Sequence, residues 1–165
     1  MPGLTVRLIR GDITQIDAEA LVAGFYEDVR PLKGIAGELD WLLCGALSDL
    51  ILRNKLRGSL GDAALLTSQG KVRTPKIFLI GAGSRADASP ASLKSAAKNA
   101  AESALGAGVG NVAIEYLPPP GISHDTAITA LYHGLSEGAA GRGLDVQLLA
   151  TKADAYDYIL RFFKA

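Results

Sequence analysis

Apolar and polar positions mostly alternate along Leu4-Thr5-Val6-Arg7-Leu8-Ile9, the period of a strand with one buried face. Gly11-Asp12 breaks that pattern. The run Ala20-Leu21-Val22-Ala23-Gly24-Phe25 then predicts a second, more deeply buried strand. After a loop from Tyr26 to Lys33 the period changes. Leu39, Leu42, Leu43, Ala46, Leu47, Leu50 and Ile51 recur at spacings of three and four, which predicts one helix carrying a single apolar stripe. Arg53, Lys55 and Arg57 complement the dipole at its end, and Gly58 stops it.

Ala63 to Thr67 and Lys76 to Ile80 predict two further strands. The join Gln69 to Pro75 is short and has no helical period, so the pair is expected as an antiparallel hairpin. Ser89-Pro90 is an N-cap followed by proline at the first helical position. Leu93, Ala96, Ala97, Ala100, Ala101 and Ala104 carry that helix to Gly106 and Gly108. Asn111 to Leu117 is a strand that Pro118-Pro119-Pro120-Gly121 cannot continue. Ser123 or Asp125 caps a helix bearing Ile128, Leu131, Tyr132 and Leu135. Asp145 to Leu149 is the last strand, and Ala153 to Phe163 the last helix, with Tyr156, Ile159, Leu160 and Phe163 on one side. The alternation predicts an α/β fold: a three-layer α/β/α sandwich around a mixed sheet. No linker or repeat divides residues 1–165, so one domain is expected.

Composition narrows the function classes. With 48% apolar and 21% charged residues the chain is globular in type and long enough for a core. Seventeen basic residues balance seventeen acidic ones, without the basic excess of a nucleic-acid binder. No apolar run has the length of a membrane span, and no signal-peptide core follows Met1, so a cytoplasmic protein is expected. The lone Cys44 allows no intrachain disulfide. It falls at the edge of the apolar stripe, where a buried small side chain is expected. His124 and His133 do not share a helix face and have no cysteine or carboxylate cluster beside them, so no metal site is expected. Trp41 opposes much of the leucine stripe, either covering the loop Tyr26 to Lys33 or meeting another chain.

The segment GDITQIDAEALVAG, followed by a small-residue turn, resembles the opening of macro domains, the ADP-ribose-binding modules. The longer stretches FYEDVRPLKGIAGELDWLLCGALSDLI and GSLGDAALLTSQGKVRTPKIFLIGAGSR resemble the N-terminal domain of the zinc-dependent leucyl (cytosol) aminopeptidases, which is itself macro-domain-like. That family keeps its zinc ions and catalysis in a C-terminal domain, and no Asn-Thr-Asp-Ala-Glu-Gly-Arg-type segment occurs here. The resemblance therefore implies no catalytic residue, no metal and no cofactor. It implies self-association or an aminopeptidase catalytic partner, and a nucleotide-type ligand as the alternative. A hydrolase of ADP-ribosyl derivatives ranks last, because Val22-Ala23-Gly24-Phe25 replaces the Asn-Ala-Ala-Asn segment of macro domains. The Met1 start and the closing helix are those expected of a complete product.

The residues placed by that resemblance are Asp12 and Ile13 beside an adenine and Gly34, Ile35, Ala36 and Gly37 around a phosphate. A helix N-terminus supplies N–H donors, and Arg30 and Lys33 would add charge. Glu38 and Asp40 are expected in the same first turn, where they would satisfy the dipole instead. Gly81, Ala82, Gly83 and Ser84 follow a strand and are expected to line the same cleft. They lack the third glycine of a dinucleotide fingerprint. For Asp12, reading an adenine amino group and bonding nearby backbone N–H groups remain equal alternatives.

Overall fold

The computed structural model describes residues 3–116, 118–150, 157, 160 and 161. Strand β1 (Leu4–Ile9) is followed by a 3-10 turn at Ile13–Gln15 and by β2 (Ala20–Phe25). Helices α1 (Gly34–Leu42) and α2 (Ala46–Leu52) come next, then β3 (Ala63–Thr67), β4 (Lys76–Gly81) and α3 (Pro90–Gly106). Strand β5 (Asn111–Glu115), α4 (His124–Ala139) and β6 (Leu144–Leu149) complete the sequence of elements among the described residues. Six strands form one sheet in the order β1-β6-β5-β2-β4-β3. All neighbours are parallel except β3, which pairs antiparallel to β4 as the short join predicts.

Period-two alternation sends successive side chains of each strand to opposite layers. Leu21, Ala23, Phe25, Ile77 and Leu79 pack under Ile35, Ala36 and Leu39 of α1 and Leu47 of α2. Ala20, Val22, Phe78, Ile80, Val112 and Val146 pack under the alanine face of α3, with Leu135 and Ala139 of α4. The sheet is thus mixed and covered on both faces, the three-layer α/β/α arrangement expected from the element order. β2, β4 and β5 end side by side. Their carboxyl ends open onto the loops 26–33, 82–89 and 118–123, where open α/β sheets hold ligands.

The single helix predicted over Leu39 to Gly58 is instead two. Cys44 and Gly45 take left-handed backbone angles, φ 56° and 85°, and break the stripe after Leu42. Gly45 has no side chain to cap α2, and Asp40 of α1 does so instead. Its Oδ1 accepts the Ser48 N–H at 2.9 Å and its Oδ2 the Ser48 hydroxyl. Asp40 therefore serves α2 and not the first turn of α1. Cys44, expected to be buried, is exposed at the break. α2 ends at Leu52, six residues before the glycine expected to stop it. Trp41 is 82% exposed and does not cover the 26–33 loop.

Ser89 caps α3 in a reciprocal box with Ser92, and Ser123 rather than Asp125 caps α4. β5 stops at Glu115, although the Tyr116 N–H still donates to Leu149. The last helix, expected over Ala153 to Phe163, lies outside the described residues except at Asp157, Leu160 and Arg161, which are helical.

Candidate functional site

Asp12, Ile13, Gly34 and Ile35 meet around one cleft of about 420 Å³, together with Gly11, Glu38 and Glu115. Asp12 caps the 3-10 turn there: its Oδ1 accepts the Thr14 N–H at 2.9 Å, and this hydrogen bond holds its pKa below the usual carboxylate value. Its side chain is thus engaged with backbone. Gly34 opens α1 at φ 60° and lies against Glu115 so closely that a Cβ would run into the carboxylate. Ala36 is buried under the helix, and Gly37 lies against the Leu32 carbonyl with its N–H bonded to the Lys33 carbonyl.

The decisive group in this cleft is Glu115, which the sequence reading passed over. It ends β5, and its Oε1 accepts the Ile35 N–H at 3.1 Å. The N-terminus of α1 thus already holds an anion, supplied by the chain itself. Burial pushes the Glu115 pKa up, against the hydrogen bond from Ile35, and nearby Glu38 pushes it further up. The signal available in sequence was a glutamate at the carboxyl end of an otherwise apolar central strand, Asn111-Val112-Ala113-Ile114-Glu115.

Gly81 ends β4, and Ala82 to Ser84 follow it. The N–H groups of Gly81, Ala82 and Gly83 donate to the Asp62, Phe25 and Gly58 carbonyls at 2.8–3.0 Å. Gly81 is pressed against the Ser59 carbonyl, which no Cβ would allow. The turn that follows also holds an internal carboxylate. Asp28 accepts from the Ser84 hydroxyl at 3.0 Å and from the Arg85 and Ala86 N–H groups at 2.7 and 3.2 Å, and these bonds lower its pKa. A third such nest, made by the N–H groups of Arg57, Gly58 and Ser59, is filled by Asp62. Of the two expected basic residues, Arg30 is exposed and folds back on its own loop. Its guanidinium donates to the Tyr26, Val29 and Arg57 carbonyls and braces the loop.

Two further cavities adjoin these groups. Ala82 and Glu115 line a narrow slot of about 110 Å³ between the sheet and α3. Lys33 lines a cleft of about 510 Å³ against Pro118, Pro119 and Pro120. Among the described residues there is no group of three or more His, Cys, Asp or Glu side chains placed to hold a metal ion. No helix among them is long and apolar enough to cross a membrane.

Several known proteins resemble this chain in sequence or in fold. A probable cytosol aminopeptidase of Geobacter sulfurreducens is 26% identical over 136 residues, which is 82% of this chain and 27% of that protein. One of Halorhodospira halophila is 33% identical over 108 residues, 66% of this chain and 21% of that protein. The chain thus spans less than a third of the length of these relatives. A tomato leucine aminopeptidase mutant superposes with a TM-score of 0.70 at 21% identity, over 96% of this chain and 35% of the other. A macrodomain of Oceanobacillus iheyensis with ADP gives 0.75 at 14% identity, over 96% and 90%, so the macrodomain-like fold is shared. Residues 22–140 match the family described as cytosol aminopeptidase family, N-terminal domain, and the chain belongs to that family.

Proposed function

We propose that this chain is a non-catalytic module for assembly or regulation, acting through association with copies of itself or with an aminopeptidase catalytic domain. The observation that carries the reading is the Glu115 carboxylate on the Ile35 N–H, at the helix terminus where a nucleotide phosphate would otherwise be bound. Asp28 and Asp62 fill the two other backbone nests in the same way. A macro-type scaffold whose anion places are closed by its own side chains keeps its shape and its surface. Trp41 and Leu52, at 82% and 81% exposure, give the α1–α2 layer two large apolar contacts. The match of residues 22–140 to the family's N-terminal domain supports a non-catalytic role for these residues, and the name of the relatives supports a cytoplasmic setting. Light scattering over a concentration series, alone and with a separately expressed aminopeptidase catalytic domain, tests this role. A monomer at every concentration that ignores the catalytic domain would refute it.

A second reading is a nucleotide-type reader of ADP-ribose. It is favoured by the cleft that brings Asp12, Ile13, Gly34 and Ile35 together. It requires Glu115 to leave the Ile35 N–H, so calorimetry is expected to show tighter ADP-ribose binding in Glu115→Ala than in the unaltered chain. Tight binding to the unaltered chain would favour the reader over the assembly module.

A further inference from the structure

We propose that β3, an outer strand of the sheet, pairs antiparallel with β3 of a second copy of this chain and joins the two sheets into one. This rests on the self-association proposed above and names the surface that carries it.

Hydrogen-bond parity identifies the open groups. In an antiparallel ladder, opposed residues alternate between pairs that exchange hydrogen bonds and pairs that do not. The Gly81 N–H donates to the Asp62 carbonyl and the Ser68 N–H to the Pro75 carbonyl, so Asp62, Ala64, Leu66 and Ser68 bond toward β4. Ala63, Leu65 and Thr67 therefore turn their N–H and C=O groups away from β4. None of these groups has a partner among the described residues. Gly61 at φ 94° and Gln69 at φ 54° turn the chain out of the strand at either end, so the open row is confined to these three residues.

The row is also unguarded. Native sheets blunt a free edge with lysine, proline or a bulge. β3 reads Ala-Ala-Leu-Leu-Thr, with no charge and no proline, and runs in unbroken register against β4. β1, at the other end of the strand order, carries Arg7. Leu65 stands opposite the buried Phe78 yet is itself half exposed. An uncharged, unbulged edge of this kind is a template for another strand.

Symmetry selects the occupant. The open row is centred on Leu65. A two-fold axis there sets Leu65 against Leu65 of the other copy and Ala63 against Thr67, so every open N–H meets an open C=O. The pairing uses both open rows at once and closes the assembly at two copies. Neither strand carries a charge and the formal net charge of the chain is zero, so the copies approach without repulsion. The axis is normal to the sheet. The α1–α2 layers, which pack on Ala64 and Leu66, therefore lie on the same face of the joined sheet.

The test is light scattering of the full chain over a concentration series, with a thermal melt of each variant. The unaltered chain is expected to form dimers and nothing larger. Leu65→Lys sets like charges face to face across the axis and should weaken the dimer about tenfold or more, with its melt retained. Leu65→Pro removes the outward N–H but leaves the bonds of Ala64 and Leu66 to β4, and serves if the lysine variant does not fold. Cross-linking in a Cys44→Ser background reads the register. Leu65→Cys should form a disulfide across the axis, since hydrogen-bonded partners sit about 5.5 Å apart at Cα. Thr67→Cys should not, because the same residue of the other copy lies about 13 Å away along the strand. Undiminished self-association of a folded Leu65→Lys, or cross-linking of Thr67→Cys as readily as Leu65→Cys, would overturn the edge pairing and leave the assembly role standing. Capture of a catalytic domain that Leu65→Lys loses, without any self-association, would also overturn it, because the edge would then take a different chain. An unaltered chain that stays monomeric overturns the edge pairing too; the assembly role then stands only if the chain captures a catalytic domain.

Discussion

At the scale of single residues, Glu115 sets the terms of the site. Its raised pKa means that the folded chain holds this proton to higher pH than the unfolded chain does. Stability from this group is complete below the ordinary glutamate range and falls as pH rises through the raised value. Glu115→Gln keeps an acceptor for the Ile35 N–H and removes the charge. The variant should therefore melt higher than the parent at neutral pH, with the difference closing as pH falls toward 4.5, the unshifted value. Thermal melts across pH check this; a difference that stays constant would mean that burial of charge at Glu115 is not the cause. Gly34 is the steric counterpart. Gly34→Ala carries a left-handed penalty of about 1–2 kcal/mol and also displaces the carboxylate. Adding Glu115→Ala should recover the second part only, a non-additivity that a double-mutant cycle measures. The sequence brought Asp12, Ile13, Gly34 and Ile35 to notice because glycines and turn residues are conspicuous in a linear reading. Glu115 stayed hidden because its role depends on β5 lying beside β2, a neighbour relation that no local pattern encodes.

Among elements, the contrast between α1–α2 and α3–α4 shows what periodicity can carry. The stripe Leu39 to Ile51 has helical spacing throughout, so the break at Cys44-Gly45 was invisible to it. The break is made by backbone angles and by Asp40 reaching to Ser48, a cap supplied from the preceding helix. Asp40→Ala should cost about 1 kcal/mol, the usual value of a helix cap, read as a lower denaturant midpoint. A neutral result would mean that α2 holds its start by packing alone. α3 is legible in the sequence almost to the residue, because Ser89-Pro90 and Gly106 mark both ends chemically. Its partner α4 contains Gly134 and Gly138, which look like weaknesses in a helix. Each lies against the α3 backbone, at the Lys94 and Lys98 carbonyls, where a Cβ would clash. Gly138→Ala gains about 1 kcal/mol of helix propensity but forces the helices apart at a cost of about 1–3 kcal/mol. Net destabilisation is expected; a more stable variant would show that the helices can separate freely.

For the whole molecule, the balance of charge bears on association. Equal numbers of acidic and basic residues give a formal net charge of zero near neutral pH, so copies of the chain meet without mutual repulsion. An isolated exposed leucine is ordinary on a protein surface, but a tryptophan at 82% exposure is not, and it stands on the same helical layer as Leu52. Contact residues that take no part in the core can be changed at little cost to the fold. Trp41→Ser and Leu52→Ser should each alter stability by no more than ~0.5 kcal/mol. If the α1–α2 layer is the contact surface, the double variant should shift toward monomer in light scattering, and lose capture by a catalytic domain, with its melting temperature nearly unchanged. Association that persists undiminished in a folded double variant would move the interface elsewhere. The opposite layer would then be the place to look, because α3 and α4 expose Lys94, Glu137 and Tyr132 there and present a more polar face.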